Sequence, residues 1–246
     1  MLSAPQKKER HKKETIRQKK HFSISFLIGI PANFFIGGFC TFAFVVIFSK
    51  NPPQIETWLF FLTGLIFGLS IVGTSAIPKF RTLLHESKHA LVVLVTGNKL
   101  KDIHVETHTG HVTYDLYQEK VHFLPLIVLA PYFLPLLSLP SLIVALILDP
   151  AHHEILSGIL GFTLAADLTT SISELHPNQS DLRLVPGGLI ISLLYIAGFH
   201  LMWCAVCVLW VLGGIGAFAI LGNLFLSVLT RVAANCHQGN CLPDQN

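Results

Sequence analysis

Long apolar segments separated by short polar ones are the main pattern along this chain. A helix needs about 20 mostly apolar residues to cross the hydrocarbon core of a bilayer. The segments that meet this requirement are residues 22–49, 57–77, 121–148, 155–175 and 184–230. The last segment is long enough for two helices, and Gly213, Gly214 and Gly216 leave its point of division open. The pattern predicts an all-α polytopic membrane protein with about six transmembrane helices.

Prolines interrupt the third of these segments. It contains Pro125, Pro131, Pro135 and Pro140. Proline removes a backbone hydrogen bond and its ring clashes with the preceding turn of a helix, so we expect a bent or broken span between residues 121 and 148.

A G-x-x-x-G pattern lies in the second apolar segment, at Gly64 and Gly68. Glycines at this spacing let two helix backbones approach closely. The pattern indicates tight packing of this helix, either inside the protein or between protomers.

Alternating polar and apolar residues follow Gly97. Residues 100–107 and 110–117 have the period of two short strands, with a turn near Thr109 and Gly110. This predicted β-hairpin carries charged side chains, so it cannot face lipid, but it can line a wet cavity.

The composition agrees with a membrane protein. Of the 246 residues, 52% are hydrophobic and only 13% are charged, and the mean hydropathy is +0.60. Eight of the 17 Lys and Arg residues precede the first span, which predicts a cytoplasmic amino terminus. We therefore expect a basic cytoplasmic segment (1–21), one membrane-embedded domain (22–231) and a tail (232–246). The basic segment is interpreted as a topology signal attracted to anionic lipid, with no nucleic-acid partner.

Three ionisable residues, His85, Glu86 and His89, form an H-E-x-x-H pattern just before the predicted hairpin. Positions i and i+4 lie on the same face of a helix, so the two histidines can bind one zinc ion through imidazole nitrogens. Glu86 lies beside this face, where a carboxylate can take a proton from an activated water. The alternative is a pair of interfacial histidines, with Glu86 facing water or pairing with Lys88.

The residues around this pattern resemble the site-2 protease family of membrane-embedded zinc metallopeptidases, especially its smaller bacterial-type branch. In that branch a turn containing a proline and an arginine leads into an H-E-x-x-H-A helix that ends at T-G and continues into a β-hairpin. The matching positions are Pro78, Arg81, His85, Glu86, His89, Ala90, Thr96 and Gly97. The resemblance implies hydrolysis of membrane-anchored polypeptides in a bacterial cytoplasmic membrane, with both histidines and a distant aspartate as zinc ligands.

One pair of residues departs from the family pattern. Ser87 and Lys88 stand where the family usually has Leu-Gly. Lys88 must point toward water or a carboxylate, or it places a positive charge near the metal and weakens zinc binding. The departure favours an alternative function, either a non-catalytic protease-like scaffold or a metal-handling or transport protein.

A third zinc ligand is expected among the few carboxylates of the later segments, which are Asp149, Glu154, Asp167, Glu174 and Asp181. In the family this aspartate follows a polar loop and opens a span, which favours Asp181, directly after Ser180. Asp167 is the alternative ligand. Asn178 is a possible contact for the substrate carbonyl or its oxyanion, or simply a turn residue.

The predicted topology is consistent with Asp181. If the amino terminus is cytoplasmic, two spans return the chain to the cytoplasm before Pro78, and Asp181 reaches the same side only if the chain turns back after Gly97. The hairpin supplies this turn. Its strand edge either pairs with an extended substrate segment or only fills the cavity. The sequence does not indicate an oligomeric state.

Overall fold

The computed structural model describes residues 24–50, 54–73, 78–107, 109–148 and 152–237. Its helices, numbered in chain order, are α1 (Ile24–Lys50), α2 (Ile55–Gly73), α3 (Pro78–Val95), α4 (Leu124–Phe133), α5 (Ser138–Leu148), α6 (His153–Ser173), α7 (Ser180–Leu184) and α8 (Gly188–His237). The strands β1 (Lys99–Val105) and β2 (Gly110–Asp115) follow α3, and a 3-10 helix (Gln118–Phe123) precedes α4. The predicted basic segment 1–21 lies outside the described residues.

Several helices are long and apolar enough to cross a membrane. In the described part of the chain there are four of them, in α1, α2, α6 and α8, or five if α4 and α5 together form one bent span. Their outward side chains include exposed Phe35, Ile66 and Ile190, as a lipid-facing surface requires. The helical fold with a small two-stranded sheet is thus that of a membrane-embedded protein, and the count of six spans stays a prediction.

The predicted break between residues 121 and 148 is confirmed. The helical segments on either side of it are bent by 78°. Leu134, directly after α4, has an extended backbone (φ −69°, ψ 122°). This is the conformation that Pro135 imposes on its preceding residue, because the proline ring clashes with a helical neighbour.

A second break lies inside α8, at two of the glycines that the sequence marks. Gly213 and Gly214 are not helical, and Gly214 has φ 55° and ψ −143°. Only glycine adopts this conformation readily, since a side chain there would clash with the backbone. The break divides the 50 residues of α8 into two apolar stretches.

The backbones of α2 and α6 are in near contact through the G-x-x-x-G pattern and the glycines opposite it. A methyl group on Gly64 would lie 1.9 Å from the carbonyl oxygen of Gly158, and one on Gly161 would lie 2.2 Å from that of Phe61. The pattern therefore packs inside the protein, where it holds the second apolar helix against the helix that leads to the site.

We expect Gly64→Ala to lower the free energy of unfolding in detergent by about 1–3 kcal/mol, because the backbone of α6 must move to admit the methyl group. Gly38→Ala in α1 is the matched control, since a methyl group there meets nothing within 4 Å. Alanine favours a helix over glycine, so the control should be as stable as the parent or slightly more stable. Equal stability of the two variants would contradict this packing.

The predicted hairpin is confirmed as an antiparallel pair. Its register runs from Lys99 opposite Asp115 to Val105 opposite Gly110, with an irregularity between Leu100 and Asp102. It is tied to the end of α3 by Asn98, whose side-chain oxygen accepts a hydrogen bond from the backbone N–H of Tyr117 at 3.1 Å. The hairpin consequently lies beside α3 rather than extending away from it.

Candidate functional site

The three residues of the H-E-x-x-H pattern lie together in α3. The rings of His85 and His89 are 5.0 Å apart between centroids, as expected for two residues one turn apart. Both histidine side chains are only 15% exposed, and Glu86 is buried. The pattern therefore faces the interior of the protein and not open solvent.

Asp181 reaches the histidines from the loop between α6 and α8. It lies in the short helix α7, whose Leu182 is buried and accepts a hydrogen bond from the Ser192 hydroxyl at 2.9 Å through its carbonyl oxygen. The Oδ2 atom of Asp181 is 3.7 Å from Nε2 of His89. One possible ligand atom from each of His85, His89 and Asp181 lies within 4.8 Å of the others.

The second ring nitrogen of each histidine is already bonded. Nδ1 of His89 donates to the carbonyl oxygen of Ile127 at 2.7 Å, and Nδ1 of His85 contacts the carboxylate of Glu174. Such bonds orient a metal-binding imidazole and leave its Nε2 lone pair for the metal. The arrangement leaves Nε2 of both rings available.

The contact of Glu174 with His85 is not predicted by the sequence, in which Glu174 is only one of several carboxylates of the later segments. It ends the apolar segment that precedes Asp181. A metal-binding histidine usually donates its other N–H to a carboxylate or a carbonyl. Such a partner is expected among the few carboxylates near Asp181, and Glu174 is one of them.

Asp167, the alternative third ligand, lies elsewhere in a buried polar cluster. Its carboxylate accepts hydrogen bonds from the backbone N–H groups of Leu137 and Ser138 at the start of α5, and from the Ser138 hydroxyl. Nζ of Lys88 is 3.9 Å away. Lys88 thus points toward a carboxylate, one of the two directions that the sequence left open.

Asn178 lies near the site but not in its cavity. Its side-chain oxygen accepts a hydrogen bond from Nη2 of Arg183 at 3.2 Å, and Nε of the same arginine donates to the carbonyl oxygen of Pro177 at 2.9 Å. These bonds stabilise the loop that carries Asp181. A contact between Asn178 and substrate stays a prediction.

A cavity of about 590 Å³ opens beside the candidate ligands. One of its walls is strand β2, which contributes Gly110, His111, Val112 and Tyr114. A methyl group on Gly110 would lie 2.6 Å from Cγ of Glu86, so the backbone of β2 lies directly against the Glu86 side chain. The hairpin therefore both limits the movement of Glu86 and borders the cavity.

The two carboxyl groups of the site have opposite electrostatic environments. Burial raises the pKa of Glu86 above its ordinary value, although the charges of His85 and His89 oppose the rise. Burial also acts to raise the pKa of Asp181, but the hydrogen bond and charge of His89 and the charge of His85 outweigh it, so this pKa is lowered. Asp181 stays ionised, as a metal ligand must, and Glu86 is better matched to proton transfer near neutral pH.

The donor set fits a zinc ion in number and type. Catalytic zinc sites commonly use three protein ligands and keep one position open, and imidazole with carboxylate is one of the usual combinations. His85, His89 and Asp181 could provide these ligands, and all three line the same cavity as Glu86.

Comparison with known proteins finds no matching family model, no similar curated protein and no similar solved structure. The resemblance to the site-2 protease family, which covers the residues around the H-E-x-x-H pattern, therefore stays a prediction.

Proposed function

We propose that this protein is a zinc-dependent endopeptidase of the site-2 type, which hydrolyses peptide bonds of membrane-anchored polypeptides. The observation that supports this most directly is the grouping of His85, His89 and Asp181 within 4.8 Å of one another. Glu86 lies beside them in the same cavity. Two imidazoles, a carboxylate and a separate carboxylate base are the groups that metal-assisted peptide hydrolysis uses.

His85, His89 and Asp181 would hold the zinc ion, and Glu86 would carry out the proton transfers of the reaction. A bound zinc ion would supply a Lewis acid that polarises the scissile carbonyl and makes water more acidic. Glu86 takes a proton from the attacking water, whose oxygen bonds to the carbonyl carbon. When the carbon–nitrogen bond breaks, Glu86 passes this proton to the leaving nitrogen, which regenerates its carboxylate. The products are a carboxylic acid and an amine.

Strand β2 is the part of the site that we propose for substrate binding. It has one partner strand in the described residues, β1, and its residues Gly110 to Val112 line the cavity in sequence. A peptide segment in the cavity could pair with this strand and be held extended, as in β-augmentation. Peptide bonds in an extended segment are open to attack, whereas those of a helix are protected by its own hydrogen bonds.

The proposed topology has six spans with both ends of the described chain in the cytoplasm of a bacterial cell. It counts α4 and α5 as one bent span and divides α8 at Gly213 and Gly214. With this count, the start of α3 and the loop carrying Asp181 lie on the same side of the membrane. The 3.7 Å separation of His89 and Asp181 supports counting α4 and α5 as one span, whereas the division of α8 rests on its break at Gly213 and Gly214.

The alternative, a non-catalytic scaffold or a metal-handling protein, rests on Lys88. Its amine donates to the carbonyl oxygen of Pro131 at 3.2 Å and to the Ser171 hydroxyl at 3.3 Å, and it lies near Asp167. These contacts account for the buried amine through groups that are not among the candidate metal ligands, which supports the endopeptidase proposal over this alternative.

Metal analysis of the purified protein tests the zinc site. We expect about one zinc ion per chain in the parent, and loss of this zinc in His85→Ala and in Asp181→Ala, because two ligands hold zinc much more weakly than three. His104→Ala is the control, since it removes an exposed histidine of the hairpin that is not among the candidate ligands, and it should keep its zinc. A parent protein without zinc, or with zinc retained after both ligand substitutions, would overturn the proposal.

A further inference from the structure

The phenol of Tyr132 is buried beside the candidate zinc site without an evident hydrogen-bond partner. The side chain is 0% exposed, and its ring meets that of His85 edge-on, with centroids 5.8 Å apart. Within the described residues, its hydroxyl forms no hydrogen bond of ordinary length, and the group that interacts with it as a more distant acceptor is the Asp181 carboxylate. Leaving such a group unpaired in the interior is unfavourable, and buried polar groups in folded proteins are normally hydrogen-bonded, so this hydroxyl is expected to have a partner in the functional state.

The carboxylates that act electrostatically on this phenol all belong to the site. They are Asp181, which acts most strongly, then Glu174 and Glu86. Glu174 is already bonded to His85. One carboxylate oxygen of Asp181 is available as a hydrogen-bond acceptor. Its Oδ2 faces His89, while its Oδ1 accepts only a long 3.3 Å bond from the adjacent Ser180 hydroxyl. A carboxylate oxygen can accept two hydrogen bonds, so Asp181 can accept one from Tyr132.

The backbone that carries Tyr132 is held in place from two other helices. Lys88 of α3 donates to the carbonyl oxygen of Pro131, and His200 of α8 donates to that of Tyr132 at 2.8 Å. Both carbonyls lie at the end of α4, where the break in the span leaves them without partners in their own helix. These two hydrogen bonds fix the position of the backbone that carries the phenol.

We propose that Tyr132 is a positioning residue, whose hydroxyl donates a hydrogen bond to the Asp181 carboxylate when zinc is bound and orients this carboxylate toward the metal. This inference rests on the proposed function, because it assigns Asp181 as a ligand. Carboxylates that bind metals are themselves usually hydrogen-bonded, and loss of such a partner typically weakens metal binding about 10- to 100-fold.

The test compares Tyr132→Phe with Tyr195→Phe, a matched loss of a hydroxyl from a buried tyrosine of α8. Zinc affinity is measured by competition with a chelator of known affinity. We expect Tyr132→Phe to bind zinc about 10- to 100-fold more weakly, and Tyr195→Phe to bind it like the parent. Equal zinc affinities of Tyr132→Phe and the parent overturn the inference.

Thermal unfolding of the zinc-free proteins separates positioning from a general structural role. Removing a hydroxyl that is buried and unpaired should leave the zinc-free Tyr132→Phe protein as stable as the parent or more stable. A lower melting temperature without zinc overturns the inference, because the hydroxyl would then support the fold itself.

The outcomes also distinguish this inference from the proposed function. If the parent binds zinc and cleaves substrate but Tyr132→Phe binds zinc equally well, only the positioning role fails. If Tyr132→Phe weakens zinc binding while the parent cleaves no peptide, the positioning role stands and the endopeptidase proposal fails. A parent that binds no zinc overturns both.

Discussion

Replacing Glu86 by glutamine is expected to slow cleavage of a model membrane substrate by about 100- to 10,000-fold, which is the usual contribution of a general base. Glutamine has nearly the same shape as glutamate but cannot accept the proton of the attacking water. Because Glu86 is not among the candidate ligands, the variant should still hold zinc. The measurement combines the cleavage rate in detergent or liposomes with the zinc content of the same preparation.

Glu119→Gln is the matched control for this variant. Glu119 lies in the 3-10 helix before α4 and is exposed, so the same change of charge occurs outside the cavity. Its cleavage rate should equal that of the parent. If Glu86→Gln cleaves as fast as Glu119→Gln, another group accepts the proton and the proposed mechanism is wrong.

Features of the fold that depend on local sequence could be predicted. The break between α4 and α5 follows from prolines such as Pro135, which act on their immediate neighbours. The hairpin follows from alternation over a few residues on each side of Thr109. The number of spans could not be predicted, because apolar length alone does not show whether the segment 184–230, which contains most of α8, crosses the membrane once or twice.

The candidate site also has some features that the sequence predicts and others that it does not. His85 and His89 are neighbours because of helix geometry, which spacing alone predicts. Asp181 could be ranked above Asp167 by its likeness to a family pattern, with which the predicted topology agrees. The contact between His85 and Glu174 joins residues 89 positions apart, and its existence depends on how the loop after α6 folds. The position of the Tyr132 hydroxyl depends on where the α4 helix breaks and on which helices hold its end.

The buried amine of Lys88 is the feature with the largest expected effect on stability. Its side chain is 1% exposed and lies 3.9 Å from the Asp167 carboxylate, which is also buried. Lys88→Met is expected to lower the free energy of unfolding by about 3–5 kcal/mol, because it leaves Asp167 as an uncompensated buried charge. The measurement is denaturant unfolding in detergent.

Two comparisons show whether the effect comes from this pair. Lys101 and Asp115 form an ion pair on the hairpin with both side chains about half exposed, so Lys101→Met should cost less than about 1 kcal/mol. The double variant Lys88→Met/Asp167→Asn removes both buried charges and should regain much of the loss, since the two substitutions are coupled. If Lys88 instead repelled the metal, Lys88→Met would bind zinc more tightly and lose no stability. That outcome would support the alternative function, a non-catalytic scaffold.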